Sequence, residues 1–279
     1  LTAAFPTVVL HRNVTLNGTV YDSFVETLDL QAAKISDFDA FSDALGRFPK
    51  IKRIELDECD LRNEQLGALQ ARYPAVKVVW TVRFRGWSVR TDAVAFSTMQ
   101  SSDNDRRLSE QEVSVLQYCT DLIVLDLGHN DIRSIEWIAP LRNLQVLILA
   151  DNRHLSDIRP LGELKKLKYV ELFLETSLKD ISPLANLSEL LDVNLCITHV
   201  EDLTPLLSCK KLERIWIGNQ SQEFITKESL QAVLEAFPNA EYDLTSVSCT
   251  NRGWREHPRF FAFRSMFETQ QPVEPFLPD

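Results

Sequence analysis

Glycine is scarce in this sequence, with 8 residues in 279, and proline contributes only 12. A chain so poor in both is neither collagen-like nor of low complexity, and a packed fold is expected. No apolar run approaches the ~20 residues of a membrane-spanning helix, so no membrane insertion is expected. The opening LTAAFPTVVL has no charged n-region, and no signal peptide is expected within it. Basic residues are in deficit: 30 Lys and Arg against 40 Asp and Glu leave a net charge of −10. Phosphate backbones and anionic lipids want a cationic face, so neither nucleic acid nor a membrane surface is expected as partner. The five cysteines, Cys59, Cys119, Cys196, Cys209 and Cys249, include no C-x-x-C pair. An odd number at wide spacing supports neither a disulfide framework nor a zinc site, and buried free thiols are expected.

Catalytic signatures are missing too. G-x-S-x-G, the Walker A loop, H-E-x-x-H and G-x-G-x-x-G do not occur. His129, His154 and His199 fall near corresponding corners of a repeat but at different offsets, which suits solvated turn residues better than a metal site. Cys196 and His199 lack a recognisable third partner or oxyanion donor. No enzyme activity, cofactor or metal is expected.

What is present is a repeat. LIVLDLGHN, LQVLILADN, LKYVELFLE, LLDVNLCIT and LERIWIGNQ begin at Leu122, Leu144, Leu167, Leu190 and Leu212, in steps of 22, 23, 23 and 22. This is the L-x-x-L-x-L-x-x-N pattern of a leucine-rich repeat. Asn130 and Asn152 occupy the final slot; Glu175, Thr198 and Gln220 replace Asn in the later units. Pro160, Pro183 and Pro205 share one phase of the return segments, which predicts tight 3₁₀ or extended turns there. VETLDL, IKRIEL and VKVVWTV carry the strand pattern earlier, from Val25, Ile51 and Val76. Longer return segments look helical from Leu61, Leu108 and Ile225, with Asn63, Ser109 and Thr226 as expected N-caps. Ser109 with Glu112 makes a capping box. About eight parallel strands are expected from Val25 onward.

A second repetition overlies the first. RGWSVRTDAVAFSTM at 85–99 returns as RGWREHPRFFAFRSM at 252–266. FPTVVLHRNVTLNGTVYD at the start resembles a third, diverged copy, with a hairpin turn at Asn17-Gly18. Each copy borders a block of repeats, so Trp87, Phe96, Trp254 and Phe263 are expected to cap exposed ends by packing. The surrounding arginines leave an anion-binding loop as the alternative.

Residues between the leucine columns should line the inner, concave face. One column reads Asp29, Glu55, Trp80, Asp126, Ile148, Glu171, Asn194, Trp216. Together with the columns beside it, the centre of this face is apolar, through Val146, Ile148, Tyr169, Phe173 and Trp216, with Asp126, Glu171, Asp192 and Arg214 around it. Aromatics ringed by charge suit a protein-binding hot spot, and these nine residues are the candidate site. The other reading is that an inserted loop or the C-terminal tail covers the patch.

The units from Leu122 to about Gly218 resemble the 22-residue leucine-rich repeats of internalin-like bacterial surface proteins. The flanking WTVRFRGWSVRTDAVAFSTM resembles segments of exported, uncharacterised repeat proteins of gut Firmicutes. That resemblance implies partner binding on the concave side and an extracellular or cell-surface place in a bacterium. The expected fold is an α/β leucine-rich repeat solenoid, a right-handed β-α superhelix with a parallel concave sheet. Short convex 3₁₀ or extended segments are expected in the middle and helical units at the ends. Its parts are an N-terminal strand or hairpin (1–24), long leucine-rich units (25–82), an inserted loop (83–107), the main array (108–226) and a C-terminal helical unit and cap (227–279), all in one continuous domain. The expected function is non-catalytic protein binding on the concave face. Alternatives are glycan binding through Trp80, Trp216 and Tyr169, and a scaffold role for an active domain outside this chain. If the patch binds a partner, Tyr169→Ala or Trp216→Ala abolishes capture at a nearly unchanged melting temperature. A fall in that temperature marks a patch covered by the chain itself.

Overall fold

The architecture follows from one constraint: a coil of 22 or 23 residues cannot bury its own leucines, so its neighbours must. The structure, a computed structural model, describes residues 12–99, 107–250 and 253–278. Phe5, His11 and Arg252, which figured in the sequence comparison, lie outside the described residues, as does the side chain of Gln220. The backbone divides into two compact units, Leu1–Arg83 and Phe84–Asp279.

In the first unit, β1 (Asn13–Leu16) and β2 (Thr19–Asp22) form an antiparallel hairpin around Asn17-Gly18. Both turn residues have positive φ, 49° and 79°, as a two-residue hairpin turn requires. β3 (Thr27–Asp29), β4 (Arg53–Glu55) and β5 (Lys77–Val79) then pair in parallel. α1 (Phe38–Leu45) connects β3 to β4, with Asp37 Oδ1 accepting the Ala40 N–H at 3.0 Å as its cap. α2 (Asn63–Arg72) connects β4 to β5; its N-cap is Arg62, one residue before the expected Asn63.

The register of β5 corrects the sequence reading. Val78 pairs with Ile54, so Val78 and not Val79 continues the inward column of Leu28 and Ile54. Trp80 therefore points inward. It is buried, and its indole N–H donates to Asn63 Oδ1 at 2.9 Å. It offers no platform to a sugar.

β6 (Thr81–Phe84) and β7 (Trp87–Arg90) form a two-stranded sheet. The second unit carries a seven-stranded parallel sheet in sequence order: β8 (Ala95–Ser97), β9 (Val124–Asp126), β10 (Val146–Ile148), β11 (Tyr169–Glu171), β12 (Asp192–Asn194), β13 (Arg214–Trp216) and β14 (Glu241–Asp243). All eight expected strands are found; β8 and β14 extend the array by one at each side. α3 (Glu110–Val113) is capped by the Ser109–Glu112 box, with Glu112 accepting the Ser109 N–H at 2.8 Å, and runs on as a 3₁₀ turn. The later returns are 3₁₀ turns at Arg159–Glu163, Ser182–Asn186 and Thr204–Ser208, each with proline at its start. Proline's fixed φ suits that position and its missing N–H costs nothing there. α4 (Gly218–Ser221), α5 (Lys227–Ala236) and α6 (Pro258–Thr269) follow. Thr226 caps α5 as expected, accepting the Ser229 N–H at 3.3 Å.

Each coil turns its corner on one left-handed residue: His129, Asp151, Leu174 and Ile197 have φ between 57° and 65°. The N–H groups of the first three reach across to the next coil, as His129 does to the Ala150 carbonyl at 2.7 Å. The scarcity of glycine hid these corners. Below them, the Asn slot does backbone work. Asn130 Nδ2 donates to the Leu127 carbonyl at 3.0 Å, and its Oδ1 accepts the Leu108 N–H at 2.9 Å. Asn152 repeats this with Leu149 and Ile132. Thr198 keeps half of it, donating to Leu195 at 2.8 Å.

Glu175 fits the slot less well. Its Oε1 accepts the Asn152 N–H at 2.8 Å, while its buried Oε2 has no hydrogen-bond partner. Burial pushes its carboxyl from 4.5 up to about 9. Folding thus favours the protonated form. The contribution to stability is complete below about pH 4.5 and is lost as pH rises towards 9. Glu175→Gln, neutral at every pH, should melt several degrees higher than wild type at pH 8 and equally at pH 4. Thermal melts across that range check it, and parallel pH profiles for the two proteins would refute the assignment.

Candidate functional site

Eight of the nine candidates of the inner face stand on strands, and Phe173 lies in the turn that follows β11. Val146 and Ile148 stand on β10, Tyr169 and Glu171 on β11, Asp192 on β12, and Arg214 and Trp216 on β13. Their exposure is the surprise. In a sheet with one solvated face alternate residues are exposed, but β10 to β13 are buried at every position. Phe173 is buried also, and Asp126 on β9 is half-buried. The free hot spot read from the sequence is therefore corrected: the chain's own C-terminal segment lies over it.

That segment is built from the second RGW copy. His257 caps α6 by accepting the Arg259 N–H at 3.2 Å, and Pro258 opens the helix. α6 turns Phe260, Phe263 and Met266 onto the sheet, while Trp254 precedes it and Phe276 follows it; all five are buried. Trp254 lies between Tyr169 and Trp216, with ring centroids 5.1 Å from each. Phe263 meets Tyr169 edge-on at 4.9 Å.

The charges that ring the patch on the sheet hold this segment. Glu171 accepts three hydrogen bonds, from Tyr169 Oη at 2.5 Å, Trp254 Nε1 at 2.7 Å and Arg255 Nη2 at 2.8 Å. Burial, and then the charge of Glu171, push the Tyr169 phenol well above its ordinary range. Asp192 receives Arg259 in a two-pronged pair at 2.7 and 2.8 Å, and Arg259 also reaches Glu213 at 2.6 Å. Arg214 lies 4.8 Å from the Trp216 ring and 4.5 Å from that of Trp254, and donates to the Gly253 and Trp254 carbonyls at 3.0 Å. Past α6, Gln270 treats edge strand β8 as a further strand would. It accepts the Val94 N–H at 3.0 Å and donates to the Ala95 carbonyl at 2.9 Å. Lys168 and Gln145 bind the carbonyls of Pro275 and Leu277, each at 2.6 Å.

Magnitudes decide what this cover is. Burying five large apolar side chains at about 2 kcal/mol each is worth roughly 10 kcal/mol. That equals the whole net stability of an ordinary domain, about 5–15 kcal/mol. A partner that lifted this segment would have to make good a cost of that order. The inner face of the second unit is core, and Tyr169 and Trp216 are lost to sugars as well.

The four expected caps divide. Phe96 pairs with Leu125 in register and continues the leucine column, with Trp87 and Phe84 packed edge-on against it at 5.5 and 6.0 Å. Trp254 and Phe263 pack inside the concave trough, away from the end of the array where the sequence placed them. Aligned residues thus differ in structure: Phe96 is in a strand and Phe263 in a helix. Arg85, the first arginine of its copy, is tied to Glu112 at 2.9 Å. Gln270 was missed; Asn194 was read only as an inner-face residue, and Arg255 and Arg259 only as part of a possible anion-binding loop. The His-Pro step at 257–258, a cap followed by proline, was the one signal of α6 in the sequence.

The cover leaves a cavity of about 200 Å³ between the ends of β8 to β10 and α6, lined in part by Ser97, Asp126, Ile148, Arg255 and Phe263. Asp126 there accepts from Ser97 Oγ at 3.1 Å and Gly128 N at 3.0 Å, and burial raises its carboxyl. The histidines do not converge. His129 binds Asp151 at 2.9 Å, His199 stacks on Phe224 at 4.2 Å and His154 is exposed. Burial would raise Asp151, but hydrogen bonds from Arg153, His129 and Arg107 outweigh it and hold the carboxyl down at about 2. Among the described residues no group of three or more His, Cys, Asp or Glu could hold a metal ion.

A family model described as "Leucine Rich repeats (2 copies)" matches residues 120–163. The fold is that of a leucine-rich repeat protein. Solved structures of this kind align with most of the chain. Internalin C2 from Listeria monocytogenes is 20% identical, with 79% of this chain and 81% of that chain covered and a TM-score of 0.42. A second internalin of that organism is 18% identical over 81% and 64%, with a TM-score of 0.37. The ectodomain of the plant membrane receptor kinase GASSHO1/SCHENGEN3 from Arabidopsis thaliana, solved with CASPARIAN STRIP INTEGRITY FACTOR 2, is 16% identical over 81% and 30%, with a TM-score of 0.36. Nothing about function follows from likeness at this level. No curated protein matches the sequence. No helix among the described residues is long and apolar enough to cross a membrane.

Arg259→Ala removes both short hydrogen bonds to the buried carboxylate of Asp192, leaving it only Arg214 at 3.5 Å, and should cost up to about 3–5 kcal/mol. Trp254→Ala should cost a similar ~3–5 kcal/mol through the cavity it leaves. Denaturant titration measures both, and unchanged midpoints would mean that the segment is not packed as described.

Proposed function

We propose that this leucine-rich repeat chain is a non-catalytic protein-interaction module whose partner docks on the concave strands of the first unit. One contrast supports the reading. β3 alternates exposed, buried, exposed, and the outer residues of β4 are half-buried, whereas β10 to β13 are buried throughout. The strands that keep a solvated face are those a partner can reach. Thr27 and Asp29 stand exposed there, beside Arg53, Glu55 and Lys77. Arg53 and Glu55 pair at 2.6 Å, and the adjoining Lys52 and Glu26 pair at 2.8 Å. A mixed-sign, polar face of this kind selects a partner by charge pattern more than by apolar burial. The partner is a protein, met at the surface of the bacterium or outside it, as in the exported repeat proteins of gut Firmicutes that the sequence resembles. A sugar would want an exposed aromatic, and Trp80, Tyr169 and Trp216 are all buried.

The test compares three proteins in pull-downs from surface extracts: wild type, Asp29→Lys with Glu55→Lys, and the control Glu235→Lys on the exposed side of α5. A protein held by wild type and control, and at least tenfold less by the double variant at a similar melting temperature, supports the site. Equal retention by all three overturns it.

A further inference from the structure

Asn194 on β12 faces the covering segment and grips it. Its Oδ1 accepts the Cys196 N–H at 3.1 Å, and its Nδ2 donates to the Cys249 carbonyl at 2.7 Å. One side-chain amide therefore spans the backbones of two cysteines from distant parts of the sequence. The side chains are neighbours as well, for each thiol is the largest influence on the other's titration. Both thiols are free and both belong to the apolar cluster that holds Trp216, Phe173 and Trp254. Space around them is tight: a Cβ on Gly218 would stand 3.0 Å from Cys196 Sγ. Cys196 lies just past β12 on the sheet. Cys249 lies on the connection from β14 to α6, where the covering segment begins.

We propose that Cys196 and Cys249 are an oxidisable dithiol whose disulfide fastens the covering segment to the sheet. The thiol pair is polarised. Their pairing lowers Cys249 and raises Cys196, and burial raises Cys196 further. Cys249 is accordingly the nucleophile. Buried thiols need a small oxidant, and hydrogen peroxide serves. The Cys249 thiolate attacks one peroxide oxygen, the O–O bond breaks, and the hydroxide released takes up a proton as water. Cys249 is then a sulfenic acid. The Cys196 sulfur attacks the Cys249 sulfur, the S–O bond breaks, and the second hydroxide leaves with the Cys196 proton as water. Two thiols and one peroxide become one disulfide and two waters. The bond closes a long loop of chain, so it constrains the unfolded state strongly.

The experiment uses the full chain carrying Cys59→Ser, since Cys59 is the one cysteine that is not buried. After mild peroxide treatment, intact mass should fall by two hydrogens, and a non-reducing peptide map should join residues 196 and 249. The melting temperature should rise by about 10 °C and return with dithiothreitol. Cys249→Ser and Cys196→Ser, each in the same background, should melt near the reduced protein and show no such rise. Recovery of both thiols by alkylation after denaturation, their separate oxidation to sulfinic acids, or linkage to Cys119 or Cys209 instead would overturn the proposal.

Discussion

Every other feature of this molecule depends on leucines that one coil cannot bury alone. Leu125, Leu147, Val170, Val193 and Ile215 pair in register from strand to strand, and all are completely buried. Hydrophobic burial sets the spacing of the coils, and backbone pairing then fixes their direction. The slot residues and the left-handed corners serve this stacking by tying each turn to the next. Where the slot changes, as at Glu175, the stacking persists at an electrostatic cost, because the leucine columns outweigh one ill-matched carboxyl.

Stacking leaves one face of the sheet unspent, and the C-terminal segment covers it in the second unit. Apolar contact supplies most of the free energy there, but the charges give it register. Replacing buried ion pairs by apolar groups is often neutral for stability, so their presence argues for specification. Glu171 and Asp192 stand on neighbouring strands, and Arg255 and Arg259 stand four residues apart on the segment. Sliding the segment by one residue would bury carboxylates without partners. The surface that resembled a binding site is an intramolecular interface, made by the same aromatic and charged chemistry that joins two proteins.

The duplicated RGW segments show how far context governs conformation. The copy at 85–99 enters a parallel sheet beside β9, where open backbone groups reward extension. The second copy, described from Gly253, carries the His-Pro cap and becomes helix from Pro258 over a finished sheet. Glycine at 86 and 253 keeps the same left-handed turn in both, with φ of 86°. Local geometry is conserved where a backbone constraint demands it and lost where packing partners differ.

The columns of leucine, the prolines of the 3₁₀ turns and the Ser109–Glu112 box were legible because each acts within one coil or one turn. Strand number and order followed from them. The register of β5 was less legible: Val76, Val78, Val79 and Trp80 are all apolar, so alternation cannot choose the inward phase, and only pairing with Ile54 does. Eight of the nine inner-face residues stand on strands and Phe173 just beyond one, yet their exposure was a matter for tertiary structure. Composition and periodicity determined that this chain would stack parallel coils. Whether Tyr169 and Trp216 meet solvent or Trp254 depended on a contact between positions some forty to eighty-five apart, and such a contact leaves no trace in any local pattern because its free energy exists only once both partners are folded.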